Sequence, residues 1–222
     1  METRTVFHQK LREIQDGVLA VGSMVAKALS KSMEALQNRD LELAQQIIDD
    51  DKKINARRFD IEEKCVHLIA TQAPMAKDLR IIIGVLNIVT ELERIGDHAE
   101  GNARIAIMVG DEPPLKPYID LPRMTSRCVD MLNRSLEAMI KLDVEESKKI
   151  IREDDVIDSL YDQVFRELLT FMMEDPRTIG RATRLIWVAH NLERSADRIT
   201  NICERVIFMA TGKLEEQGGS KY

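Results

Sequence analysis

The chain has 222 residues with a formal charge of -6, and 44% hydrophobic, 32% charged and only 4% aromatic residues. That composition excludes a disordered chain and leans toward helix over sheet. The acidic balance argues against a nucleic-acid or acidic-membrane surface as the main partner, because both demand a basic footprint, and it is compatible with binding cations.

From Phe7 to about Leu36, apolar residues (Leu11, Ile14, Val18, Val21, Val25, Leu29, Met33) recur at three and four, the period of one helix face. Asn38-Arg39-Asp40 breaks the pattern and offers Asp40 as an N-cap. A second helix then runs through Leu43, Ile47, Ile54, Ile61, Cys65 and Leu68 to about Thr71. Pro74 cannot continue it, so the chain reverses there, and a third helix spans Leu79 to Val109. Residues 110–122 hold four of the six prolines and read as a linker.

Beyond the linker the pattern starts again. Ser32-Met33-Glu34-Ala35 through Asp40-Leu41-Glu42 aligns without a gap on Ser135-Leu136-Glu137-Ala138 through Asp143-Val144-Glu145, at a spacing of 103. After the turns at Pro74 and Pro176 the spacing becomes 100, so that Leu92, Glu93, Arg94 and Asp97 recur as Leu192, Glu193, Arg194 and Asp197. An internal repeat decides the architecture. The expected fold is all-α, with two tandem, similar three-helix bundles: residues 1–110, a linker 111–122, and residues 123–222. Residues from Gly212 to the end read as a frayed tail.

No apolar run approaches the ~20 residues of a membrane helix, and Met1 to His8 lacks a signal peptide's apolar stretch, so membrane insertion is not expected and the cytoplasm is. Cys65, Cys128 and Cys203 are widely spaced, as fits reduced, buried thiols.

The chemistry of interest lies in acid spacings. Residues four apart on a helix sit ~40° apart and ~6 Å along the axis. Glu93 with Asp97, Glu193 with Asp197 and Asn201, and Asp154 with Asp158 and Asp162 therefore each project from one side of a helix. The counterpart of the last ladder in the first half is thinner, Asp51 then Asn55 then Phe59, which predicts an uneven pair of sites. Like charges at this spacing repel, so such ladders need basic side chains or a cation beside them. Oxygen-rich clusters suit hard or borderline ions such as Mg, Mn, Fe or Zn. The competing reading is a solvated acidic face, which is what most charged helix faces are. His190 falls near Glu193 on the helical wheel and is a candidate additional ligand. No Glu-x-x-His pair occurs, which counts against a ferritin-like di-iron oxidase, and phosphate loops and nucleophile elbows are absent.

The doubled Glu-Arg-x-x-Asp helices, the turn Pro74-Met75-Ala76-Lys77-Asp78-Leu79-Arg80, and the Asp51-x-x-Ile54 and Asp154-x-x-Ile157 helices resemble the PhoU family of bacterial phosphate-uptake regulators. The resemblance spans residues 5–212. It implies paired three-helix bundles whose Glu/Asp-x-x-x-Asp repeats hold multinuclear metal clusters, here on Glu93 with Asp97, Glu193 with Asp197, and Asp154 with Asp158, with Asp51 as first-half partner. The family's Asn four residues after the motif aspartate is present as Asn201 but replaced by Gly101 in the first half. The resemblance further implies no catalysis. It points to an adaptor, often dimeric, that represses the phosphate-starvation response by coupling the phosphate ABC transporter, through its ATPase subunit, to a sensor histidine kinase. The alternative from the enzyme class is a carboxylate-bridged metal hydrolase or oxidase, in which a metal-bound water does the chemistry.

Overall fold

The computed structural model describes residues 2–213, and six long helices account for nearly all of them. They are α1 (Glu2–Asn38), α2 (Leu41–Gln72), α3 (Lys77–Val109), α4 (Asp120–Lys141), α5 (Val144–Glu174) and α6 (Ile179–Thr211). The tail expected after Gly212 lies, beyond Lys213, outside the described residues. Among the described residues there is no strand, as the composition predicts.

The repeat is visible in the turns as well as in the helices. Between α1 and α2, Arg39 adopts a positive φ of 56°, Asp40 N–H donates to Ala35 O at 2.9 Å, and the Asp40 carboxylate caps α2 by accepting from Leu43 N–H at 2.9 Å. Between α4 and α5, Leu142 has φ 53°, Asp143 N–H donates to Ala138 O at 2.9 Å, and Asp143 accepts from Glu146 N–H at 3.0 Å. A carboxylate satisfies an orphan amide and favours the positive end of the helix dipole in both places.

The two copies differ at the second turn. In the first, Ala73 in the left-handed region closes α2 and the chain crosses Pro74 before α3 begins at Lys77, two residues earlier than predicted. In the second, Asp175 accepts from Arg177 N–H at 3.0 Å and caps a single 3-10 turn, Pro176–Thr178, that leads straight into α6. The change in repeat spacing falls here. The proline-rich connection is also shorter than its composition suggests: Asp120, Leu121 and Pro122 already form the first turn of α4, where a missing amide hydrogen breaks no helical bond.

Each repeat is a three-helix bundle, α1–α3 and α4–α6, and the bundles are joined by α3 packed along α6 and α1 against α4. One apolar core runs through both. Two side-chain bonds set the α3–α6 seam antiparallel: Asn191 donates to Asn102 at 2.9 Å, and Asn201 donates to Glu91 at 3.3 Å. The repeats are thus related by a pseudo-two-fold axis near Gly96 and Ala196. Glycines permit the approach: a Cβ on Gly22 of α1 would stand 2.2 Å from Leu136 of α4, and one on Gly84 of α3 would stand 2.3 Å from Met209 of α6. Cys65, Cys128 and Cys203 are free and buried, and burial pushes each thiol up to about 12. No helix among the described residues is long and apolar enough to cross a membrane.

Candidate functional site

In the second repeat, α5 and α6 present four carboxylates to one another. Asp154 and Asp158 stand one turn apart on α5, and Glu193 and Asp197 one turn apart on α6. Partial burial is the main reason that Asp154 is pushed up to about 7, followed by the charges of Asp158, Asp197, Glu193 and Asp155. Glu193 is pushed up to about 7 by burial and by Asp197, with Arg194 acting against the shift. Asp154 Oδ1 and Glu193 Oε2 are shielded from solvent and accept no hydrogen bond. Asp197 is paired with Arg194 at 2.6 Å. His190 Nδ1 lies 3.5 Å from Glu193 Oε2, outside hydrogen-bonding geometry; burial and Arg194 lower its pKa, against Asp197, and its ring rests near Tyr161.

The first repeat gathers Asp51, Glu93, Asp97 and Glu100 and supplies several of their partners from its own helices, while Asp51 Oδ1 is shielded from solvent and accepts no hydrogen bond. Arg58 Nη1 donates to Glu93 at 2.9 Å while its Nε donates to Glu62 at 2.8 Å. Asn55 donates to Asp51 Oδ2 at 2.8 Å, and Arg104 donates to Glu100 at 2.6 Å. Burial first, then Glu100 and Glu93, raise Asp51. Asp97, the most exposed of the four, is raised to about 6 by burial, Glu93, Asp51 and Glu100, with Arg58 opposing. The unevenness is one of degree: Arg58 of α2 reaches across to Glu93 in the first cluster, whereas in the second Arg194 pairs with Asp197 along α6, and shielded oxygens without partners stand on Asp51 in the first and on Asp154 and Glu193 in the second.

Two residues nominated from spacing stand apart. Each four-residue step turns the side chain by ~40°, so the third member of a ladder has rotated ~80° from the first. Asp162 consequently lies exposed on α5, and Asn201 is carried round to the α3 side of α6, where its amide donates to Glu91. Glu100 was missed by the sequence reading. Its signal was present, since Glu93, Asp97 and Glu100 follow the i, i+4, i+7 pattern of one helix face.

Between the clusters the α3–α6 seam is basic. His98 is driven down to about 4 by burial and by Arg198, Arg194, His190 and Arg94, and Arg198 reaches Glu91 at 3.4 Å. The face formed by α2, α3, α6 and α5 thus alternates acid, base, acid.

For a cation, the donor chemistry of Asp154, Asp158, Glu193 and Asp197 fits: oxygen ligands only, mutual repulsion that positive charge would relieve, and two oxygens without partners. As they stand, these groups are neighbours and not a closed cage, for no three His, Cys, Asp or Glu side chains among the described residues are arranged to hold an ion.

Comparison with known proteins places this chain in a family. The PhoU domain profile matches twice, over residues 18–106 and 121–206. The phosphate-specific transport system accessory protein PhoU homolog of Aquifex aeolicus is 41% identical over 206 residues, 93% of either chain. The phosphate-specific transport system accessory protein PhoU of Escherichia coli K12 is 35% identical across 93% of this chain and 86% of its own length. The crystal structure of PhoU from Pseudomonas aeruginosa superposes with a TM-score of 0.89 at 36% identity, over 93% of this chain and 100% of that one. That of the phosphate transport system regulatory protein PhoU from Streptococcus pneumoniae gives 0.88 at 31%, over 95% and 99%.

Proposed function

The chain belongs to the PhoU domain family, and on that footing we propose that it is a negative regulator of phosphate uptake and of the phosphate-starvation response. It acts as a cytoplasmic adaptor between the phosphate ABC transporter, through the ATPase subunit, and a sensor histidine kinase, and it works as a homodimer. The observation that carries this reading is the match of both repeats, over nearly the whole chain, to proteins named as accessories of phosphate-specific transport. Those names are of accessory and regulatory proteins, which fits a non-enzyme and favours the adaptor over a carboxylate-bridged hydrolase or oxidase.

The second repeat is the better cation site. Asp154, Asp158, Glu193 and Asp197 would hold an ion of the Mg, Mn, Fe or Zn class, with His190 beside Glu193 as a further donor. The bound charge would offset the burial and the mutual repulsion that keep Asp154 and Glu193 partly protonated near neutral pH, and so stiffen the α5–α6 pair.

The test is deletion and complementation. In phosphate-rich medium, loss of the chain should leave a phosphate-starvation promoter constitutively active, and restoring the chain should silence it. Normal repression in the deletion strain would overturn the regulatory reading.

A further inference from the structure

The α5–α6 face carries, next to its carboxylates, an apolar strip that the fold does not need. On α5, Phe165, Leu169 and Met173 recur every fourth residue and are 41%, 41% and 70% exposed; on α6, Trp187 is 51% and Ile179 49% exposed. The ring contact between Tyr161 and His190, with centroids 6.1 Å apart, fixes the register of the two antiparallel helices. In that register Phe165 falls level with the turn of α6 that holds Trp187, and Met173 falls level with the start of α6 at Ile179. Single exposed apolar residues are ordinary, but five large ones at matching levels of two paired helices point to an interaction surface.

The first repeat supplies an internal control. The residues equivalent to Phe165, Leu169 and Met173 are Glu62, Val66 and Ala70, and Asn87 stands where Trp187 does. A three-helix repeat of this design therefore folds without the aromatic and Met members of the strip, with the 60% exposed Val66 as its one large apolar counterpart at these positions. Aromatic residues and Met are enriched at docking surfaces because they bury large area with little loss of freedom.

The strip ends in negative charge. Tyr161 and His190 form its border, and Asp158 and Glu193 lie one turn beyond on their helices. Helices that dock through such a face are read as apolar anchors at i, i+4 and i+7.

We propose that this face docks an amphipathic helix of a partner protein, with apolar anchors on Phe165, Leu169, Met173 and Trp187 and with Arg or Lys beyond them over Asp158 and Glu193. The proposal deepens the adaptor reading, on which its cellular meaning rests.

Trp187 is the chain's one tryptophan and sits inside the strip, so its fluorescence reports occupancy directly. The full chain, in buffer containing EDTA so that the carboxylates are bare, is titrated with a synthetic amphipathic peptide of about 18 residues bearing Leu and Phe anchors and a basic end. A saturable blue shift is expected, weakened about tenfold or more in Phe165→Ser/Leu169→Ser and in Asp158→Asn/Glu193→Gln. Unchanged thermal unfolding of the exposed Phe165→Ser/Leu169→Ser variant confirms its fold. An equal response to a peptide with Glu at that end, or indifference to both pairs of substitutions, overturns the proposal. So does a shift produced by phosphatidylglycerol vesicles in preference to the peptide, which would make the face a membrane contact.

Complementation separates this proposal from the reading beneath it. If the wild-type chain restores repression and Phe165→Ser/Leu169→Ser restores it equally, the docking face is wrong and the regulator stands. If the wild type itself fails to restore repression, the regulator is wrong whatever the peptide does. Repression restored by the wild type and lost in the variant supports both.

Discussion

Arg58 of α2 donates to Glu93 of α3 at 2.9 Å, and in the second repeat the place of Arg58 is taken by Tyr161. This one difference between repeats gives the first acidic cluster a cation that reaches across from the neighbouring helix, whereas the second has Arg194 beside Asp197 on α6 itself. Exchanging Arg58→Tyr should make the first cluster resemble the second. Because Arg58 lowers Asp97, its removal should push Asp97 above its present value of about 6. The pair is only partly shielded, so the expected loss of stability at neutral pH is about 1 kcal/mol. Carboxyl titration by NMR and urea unfolding read both effects; an unmoved Asp97 would show that Arg58 is a surface ornament.

The pH dependence follows from Asp154 and Glu193, both raised to about 7. Their unfolded values lie near 4. Between these limits the folded state binds more protons than the unfolded one, so stability falls as pH rises from about 4 to 7 and the penalty is complete above that. Asp154→Asn and Glu193→Gln should each stabilise the chain at pH 8 and have no such effect at pH 4. Full conversion at 1.36 kcal/mol per unit overstates the gain, because both groups remain partly solvated; on the order of 1 kcal/mol each is expected. Thermal melts across that range decide it. A gain that persists undiminished at pH 4 would mean that packing, not charge, is responsible.

Cation binding should act on the same groups with the opposite sign. Added Mn(II) or Mg(II) should raise the melting temperature at pH 8, the stabilisation reaching about 2.7 kcal/mol at a hundredfold excess over Kd. The gain should fade toward pH 5, where protons hold Asp154 and Glu193, and should vanish in Glu193→Ala/Asp197→Ala. Elemental analysis of protein prepared without chelator gives the occupancy. An equal shift in the wild type and the double variant would move the site elsewhere.

Much of this architecture is legible before any coordinates, because long helices with apolar spacing and a repeated Asp N-cap leave few alternatives. Asp40 and Asp143 cap as their sequence context demands, and Glu93, Asp97, Glu193 and Asp197 gather where the repeat puts them. What spacing alone misses is rotation and partnership. The third rung of each ladder has turned too far, which is why Asp162 faces water and Asn201 meets Glu91. Glu100 escaped because a strict fourth-residue search passes over the third-residue neighbour. The pairing of Arg58 with Glu93 links residues 35 apart in sequence, and nothing in local periodicity announces it.

The glycines at the seams test how tightly the repeats are clasped. Alanine in a helix interior is favoured over glycine by about 1 kcal/mol, so Gly→Ala should help wherever there is room. At Gly22 the new Cβ would meet Leu136 Cδ1 at 2.2 Å, and Leu136 is 4% exposed with core on its other sides. Overpacking there costs about 1–3 kcal/mol and outweighs the helix gain, so Gly22→Ala should be net destabilising. At Gly84 the obstacle is Met209, whose unbranched chain moves aside more readily, so Gly84→Ala should lie closer to neutral. A Cβ on Gly180 would meet nothing within 4 Å, so that position serves as the control, expected to be neutral or slightly stabilised as alanine. Shortening the obstacle in Gly22→Ala/Leu136→Ala should recover part of the loss, giving a favourable coupling in the double-mutant cycle. Additive losses at Gly22 and Leu136, or a Gly22→Ala chain that melts above the wild type, would show that α1 and α4 are not held at the separation described.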